Sequence, residues 1–486
     1  MLSILPMTRE EIYLLLEQEF AFPYTPSQQQ AALLLSHFIC TDKVRPACIL
    51  RGYAGTGKTS LVGALVRVMK HMGLPVVLLA PTGRAAKVFT HHANTPAYTI
   101  HRTIYRQETF QGEGTHFSLD FNKLRGALFI VDEASMIASG KGMMGDSLFG
   151  TGELLDDLIS FVYSSFGCRL LMVGDTAQLP PVGETESPAL NEAVLARYGL
   201  TVGSVDLTDV VRQHEESDVL AGATLLRQLQ AEYFLGIPPL HTDPHGEVRA
   251  MPGNELIESL VSDYQNLGTD QVIVVTRSNK RANIYNQGIR ARIFDREDIL
   301  TRGDLVMAVK NNYYWIEQLT KQLPANERFP MAFIANGDTA EILRLRNVHE
   351  QYGFQFADAT LRFPDYDDCE LDCRVLLSTL TSESPSLTAD ESNRLYESVL
   401  ADYAHIPLKK DRMKALRQDP YYNALQLKYA YAVTCHKAQG GQWERVYVDQ
   451  GFVPEDATGT PYLRWLYTAF TRTTGRVYLV NWTPPS

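Results

Sequence analysis

RGYAGTGKTS, residues 51–60, follows the short apolar run ACIL at 47–50. From Gly52 to Thr59 it fits G-x-x-x-x-G-K-[ST] in the context that pattern requires, a buried strand before it and a helix-like segment after it. Glycines at these positions let backbone N–H groups turn inward around phosphate oxygens. Lys58 then reaches the β- and γ-phosphates, and the Thr59 hydroxyl is a ligand for Mg²⁺. The expected cofactors are therefore ATP and Mg²⁺, held by Gly52, Gly55, Thr56, Gly57, Lys58, Thr59 and Ser60. Similar runs recur at 76–80, 128–131 and 170–173, each short, continuous and apolar, as in strands covered on both faces. The predicted fold class is α/β.

LFIVDEAS, residues 128–135, adds the acidic partners of a phosphate cradle. Asp132, at the end of a buried strand, can hold Mg²⁺, and Glu133 can orient or deprotonate an attacking water. Beyond another strand end, RLLMVGDTAQLPPVG presents Asp175 and Gln178 ahead of a stiff Pro180-Pro181 pair, with Gln178 a candidate sensor of the γ-phosphate.

Outward from these motifs, a chain of 486 residues is too long for one ordinary core. A hydrophobic fraction of 45% with 21% charged residues, and no apolar run long enough for a bilayer, predicts a soluble protein with no membrane partner. The N-terminal segment fails as a secretory signal, because Pro6 breaks it and Arg9, Glu10 and Glu11 follow. Thr8 and Glu11 read instead as a capping box. Six scattered cysteines suit neither a disulfide scaffold nor a zinc ribbon, and the Cys369/Cys373 pair reads as small strand residues, so a reducing, cytoplasmic setting is expected. A net charge of −11 argues against coating nucleic acid but not against gripping one strand in a local groove, since fields are screened within about 8 to 10 Å.

Three further features complete the layout. Residues 109–119, TFQGEGTHFSL, read as a hairpin with Gly112-Glu113-Gly114 at its turn. Strand-like 271–276 and helix-like 279–292 open a second α/β unit that resumes near 429–433 and 446–449. The alternating stretches between them suggest a small inserted β-barrel, followed by a loop and two helices at 382–418.

In order, TPSQQQAA, GYAGTGKT, APTGRAAK, TIH, VDEAS, GDTAQLPPVG, VVRQ, YAVTCHKAQGGQW and LYTAFTRT resemble the motif set of superfamily 1 helicases, nearest the RecD-like and Dda-like branch that moves 5′ to 3′. The resemblance runs from about Thr25 to Arg476. It implies two RecA-like motor domains with ATP between them, an SH3-like accessory barrel and single-stranded DNA across the top. The expected limits are 1–185 for the first motor with a hairpin insert at about 88–124, 186–300 plus 426–486 for the second, and 301–425 for the barrel and helices. The resemblance further implies that Gln28 recognises adenine and that Arg212 and Arg472 reach the γ-phosphate from the second motor. A guanidinium donated across a cleft stabilises transition-state charge only when the cleft is closed. For the DNA track it points to Thr82, His101, Asn279, Thr434 and His436, neutral groups suited to contacts remade at every step. Cys435 and Gly441-Gln442-Trp443 depart from the usual form of the fifth motif.

The expected activity is ATP-driven, 5′-to-3′ unwinding of tailed duplex DNA by a monomer with a compact two-motor core and no large N-terminal extension. A translocase that displaces proteins or RNA, and a nucleotide-gated binding switch, are the alternatives. Glu133 with Arg212 and Arg472 speaks against the switch, which needs no hydrolytic set drawn from two domains. The hairpin is a candidate strand-splitting pin, and the basic run Lys409, Lys410, Arg412, Lys414 and Arg417 reads first as a solvated helix face, with contact to DNA as the weaker alternative.

Overall fold

The computed structural model describes residues 7–108, 116–140, 151, 153–210, 217–324 and 329–482. The N-terminal segment forms α1 (Arg9–Glu19), opened by the Thr8–Glu11 capping box, and α2 (Pro26–Cys40), opened by a second box between Thr25 and Gln28 with Pro26 in the first turn. There follow β1 (Pro46–Gly52), α3 (Lys58–His71), β2 (Val76–Ala80), α4 (Gly83–Ala93), β3 (Ala97–Thr99), α5 (Ile100–Ile104), β4 (Tyr105–Glu108), β5 (His116–Leu119), β6 (Leu128–Val131), α6 (Leu154–Tyr163), β7 (Arg169–Gly174), α7 (Glu192–Arg197) and β8 (Thr201–Leu207). Among the described residues the first sheet has six strands in the order β3-β2-β6-β7-β1-β8, all parallel. Apolar clusters cover both of its faces, which is why β6 and most of β7 are buried throughout.

Beyond α8 (Asp218–Ala231), the second sheet is assembled from β9 (Val248–Met251), α9 (Leu256–Leu267), β10 (Val272–Thr276) and α10 (Asn279–Arg292). The chain then leaves it for β11 (Leu305–Ala308), α11 (Tyr314–Thr320), β12 (Thr339–Gln351), β13 (Phe354–Phe363), β14 (Cys369–Leu376), α12 (Ala389–Asp402), α13 (Lys409–Arg417) and β15 (Leu425–Tyr429). These five strands close a barrel. The chain returns through β16 (Ala432–Thr434), α14 (Cys435–Ala438), β17 (Trp443–Asp449), α15 (Thr460–Phe470) and β18 (Thr473–Val480). The second sheet runs β16-β10-β17-β18-β9, again parallel. One of its faces shares a continuous core with the barrel interior. A buried carboxylate fixes this junction: Asp304 accepts from Arg290 Nε at 3.0 Å, Arg296 Nη1 at 2.7 Å and the Thr301 N–H at 2.7 Å.

The expected domain limits need three corrections. The first unit does not end at 185, because β8 pairs along the whole of β1 and forms an edge of the first sheet. TVGSVDL is only partly buried, so it lacks the continuous apolar run that marks the other strands. The insert does not begin at 88: α4 runs to Ala93 and β3 pairs with β2, leaving the two-stranded β4–β5 ribbon as a separate sheet. Its predicted turn at Gly112-Glu113-Gly114 lies outside the described residues. Finally, β15 closes the barrel, so that unit extends beyond 425, and the apolar run at 429–433 divides between the barrel and β16.

Candidate functional site: a nucleotide cleft between two sheets

The loop from β1 to α3 keeps its backbone groups for a ligand. Gly57 caps α3 at φ 81° with no side-chain hydrogen bond, leaving the helix's first N–H groups open to the cleft. At Gly52 an added Cβ would meet Leu207, Lys58 and Thr56 at 2.9 Å, so the loop closes this tightly only with glycine there. Gly55 lies in the left-handed region as well, at φ 75°. Lys58 Nζ is folded onto the loop's own carbonyls, donating to Gly52 and, at 2.8 Å, to Tyr53. A phosphate offers that ammonium a charged replacement for both.

A cavity of about 590 Å³ opens over this loop, a size suited to a nucleotide. Gln28, Lys58, Thr59, Asp132, Gln178 and Arg472 all line it, so the structure gathers these expected residues from opposite ends of the chain. Thr56 is buried in the loop, its hydroxyl donating to Tyr53 O at 2.8 Å, and Ser60 lines the cavity wall. Gln28 has neither end of its amide idle: Oε1 accepts from Thr25 N and Nε2 donates to Thr56 O, each at 3.0 Å. Its position therefore fixes the loop, and one amide hydrogen is left for a base.

Asp132 follows β6 at the cavity floor. Burial and the neighbouring Glu133 charge push its carboxyl well above the usual range, opposed by the Glu133 N–H and the Lys58 ammonium. A dication beside it would supply the missing countercharge, so Asp132 with Thr59 fits a Mg²⁺ site. Glu133 adopts φ 51°, uncommon for a residue with a side chain, and its N–H donates to Asp132 Oδ1 at 2.9 Å. Arg472, buried at the end of α15, reaches Glu133 Oε1 at 3.7 Å and is braced by Thr468 O at 3.0 Å. Arg212 lies outside the described residues.

Sequence reasoning passed over the residues that tie the cleft together. Tyr467, one helical step from Thr468, donates to Asp175 Oδ2 at 2.6 Å and accepts from the Ala54 N–H of the phosphate loop at 2.9 Å. Burial raises the Asp175 carboxyl, and Lys58 and the Tyr467 hydroxyl oppose that rise. Arg84 of α4 stacks over Trp443 of β17 at 4.0 Å. A tyrosine in an apolar helix reads as core, and only the alternation of polar groups in LYTAFTRT hints otherwise.

The strand-contact candidates divide. Thr434 lies beside Thr276 in the β10–β16 register, and Asn279 begins the helix after β10, so both occupy one edge of the second sheet. His436 is exposed on α14. Thr82 caps α4 at the corresponding edge of the first sheet, accepting from Ala85 N at 3.2 Å, and Gly440 abuts it. His101 is different. Its ring packs against Phe333 of the barrel unit at 5.6 Å and Tyr105 at 5.7 Å, and burial pushes its imidazole down to about 4. No helix among the described residues is long and apolar enough to cross a membrane, and no His, Cys, Asp and Glu group among them is gathered as a metal cluster.

Comparison with known proteins gives family matches at both ends of the chain: an AAA domain model over residues 25–234 and a UvrD-like helicase C-terminal domain model over residues 429–480. The ATP-dependent RecD2 DNA helicase of Deinococcus radiodurans is 30% identical over 279 residues, 54% of this chain and 34% of that protein. This chain thus spans about a third of that relative's length. The ATP-dependent DNA helicase dda of Enterobacteria phage T4 is 23% identical over 418 residues, covering 82% of this chain and 86% of its own. A Pif1 helicase solved in a study of unwinding at forked double-stranded DNA aligns with a TM-score of 0.46 and 17% identity, covering 94% of this chain and 92% of that one. The resemblance to superfamily 1 helicases of the RecD-like and Dda-like kind rests on both matched segments.

Proposed function

We propose, from the likeness to RecD-like and Dda-like superfamily 1 helicases, that this chain is an ATP-dependent DNA helicase that moves 5′ to 3′ on single-stranded DNA and opens tailed duplexes as a monomer. The observation that supports it best is the cleft itself: a phosphate loop and two carboxylates on one sheet face a buried arginine from the other, with Arg472 aimed at Glu133. In this reading the two parallel sheets are RecA-like motors and the barrel is an SH3-like accessory unit.

Lys58 releases the loop carbonyls to pair with the β- and γ-phosphates, and the N–H groups of α3's first turn receive phosphate oxygens. Thr59 and Asp132 would hold Mg²⁺, which would neutralise developing phosphate charge. Glu133 orients the attacking water and accepts its proton, and Gln178 faces the terminal phosphate. Arg472 transfers from Glu133 to the γ-phosphate as charge develops, so hydrolysis proceeds when the second motor is docked. Arg212 is assigned the same task. Between strokes, Thr82, Asn279, Thr434 and His436 hold the strand by neutral contacts, and His101 joins them where the barrel unit allows.

Steady-state ATP hydrolysis with and without single-stranded DNA tests the proposal. Wild-type hydrolysis is expected to rise strongly with the strand, and Lys58→Ala to lose at least about a hundredfold of it. Tailed-duplex unwinding then decides polarity and separates a helicase from a translocase that displaces proteins or RNA. Hydrolysis indifferent to DNA would overturn the motor reading in favour of a nucleotide-gated switch or another ATPase.

A further inference from the structure

The loop that follows β7 belongs to the first motor, yet its backbone is held by the second. Gln230 of α8 donates to Ala177 O at 3.2 Å. Thr468 Oγ1 accepts from Leu179 N at 2.8 Å while donating its own hydrogen to Arg464 O at 2.7 Å. Gln439 Nε2 donates to Leu179 O at 2.7 Å. The Leu179 N–H belongs to the peptide bond immediately after Gln178, so the two second-motor side chains grip the backbone on which Gln178 is mounted. Leu179, Gln439 and Thr468 are all buried, where an unmade hydrogen bond is costly. Gln178 is buried too, and its Oε1 has no hydrogen-bond partner among the described residues. That leaves an acceptor held in place at the nucleotide cavity by groups from the opposite domain.

Gln439 also connects this grip to the strand-contact edge. It directly follows α14, a single short turn that begins after Thr434 and includes His436. Cys435 and Ala438 of that turn are buried, with Cys435 Sγ donating to Trp465 O of α15 at 3.4 Å, so α14 is packed against α15. This packing gives a shift at Thr434 a continuous route to both Gln439 and Thr468.

We propose that Gln439 is a positioning residue: with Thr468 it fixes both backbone polar groups of Leu179 and thereby aligns the adjacent Gln178 on the nucleotide when the strand engages α14. The proposal rests on the motor reading above. It predicts that the grip controls stimulated turnover rather than nucleotide or strand affinity.

The test measures ATP hydrolysis of the full chain against single-stranded oligonucleotide concentration in wild type, Gln439→Leu, the isosteric Gln439→Glu and Thr468→Val. Each variant is expected to keep basal turnover, ATP KM and half-saturating oligonucleotide within about twofold while the strand-stimulated kcat falls at least about tenfold. The Gln439→Leu/Thr468→Val double variant should be no worse than the weaker single, since both residues hold the same residue's backbone. Full stimulation in Gln439→Leu and Gln439→Glu would overturn the proposal, as would parallel losses of basal turnover and thermal stability, which mark a merely structural contact. A wild-type enzyme that ignores the oligonucleotide would instead overturn the motor reading, so the two failures are distinct.

Discussion

Arg472 and Glu133 show how one ion pair can be both a brace and a reserve. The guanidinium is buried, bonded to Thr468 O, and faces a carboxylate at 3.7 Å. Leaving that pair for a phosphate exchanges one anion for a more highly charged one, which favours the exchange only when nucleotide is bound and the cleft closed. Arg472→Ala is expected to lower kcat by about a thousandfold with ATP KM changed by less than about threefold, read by single-turnover hydrolysis beside an ATP titration. A large KM change with kcat intact would place Arg472 in ground-state binding. Gln28 illustrates how far a motif can specify a role. Its place at the cavity was legible in TPSQQQAA, but the amide's bonds to Thr25 and Thr56 depend on a capping box meeting a distant loop. The same limit applies to His101: its sequence position is in a motif, while its aromatic packing depends on Phe333 from another unit.

At the scale of elements, the join between the barrel and the second sheet depends on Asp304. Burial alone would raise its carboxyl, but the hydrogen bonds from Arg290, Thr301 and Arg296 hold it below the usual carboxylate range. Because the folded-state pKa is depressed, this stabilisation is complete above the unfolded value and is lost as pH falls through the folded one, below about pH 4. Asp304→Asn leaves Arg290 buried without its countercharge and should destabilise the fold by about 3 to 5 kcal/mol in urea titrations at neutral pH, with the corresponding acid-sensitive phase absent. The β4–β5 ribbon carries a different expectation. Deleting residues 111–116 should abolish duplex unwinding while DNA-stimulated ATP hydrolysis survives, and retained unwinding would remove the ribbon as the splitting element. Helix α13 is present where the basic run was expected, but Leu416 and its packing with α12 show that one face supports the barrel's end.

For the whole molecule, contacts between the two sheet-bearing units include Arg84 on Trp443, Tyr467 between Ala54 and Asp175, Arg472 on Glu133, Arg464 on Thr185 O and the grip on Leu179. Trp443 lies in the segment where GGQW departs from the usual motif, and stacking by Arg84 across the cleft gives that departure a physical use. A cation–π contact of this kind contributes about 0.5 to 2 kcal/mol to the docked state. Tryptophan fluorescence should therefore change when a nonhydrolysable ATP analogue and single-stranded DNA are added together, and Trp443→Phe should remove most of the change; an undiminished signal would locate the motion elsewhere. The sequence alone determined the phosphate loop, the acidic pair, the α/β class and the existence of an inserted barrel, because local spacing and continuous buried strands encode each of them. Only the tertiary structure assigned β8 to the first sheet, moved β15 into the barrel, covered His101 with Phe333 and joined Gln439 to Leu179. Those outcomes depend on pairing and burial between residues far apart in the chain, and a hydrogen bond across 260 positions leaves no periodicity in the sequence at either end.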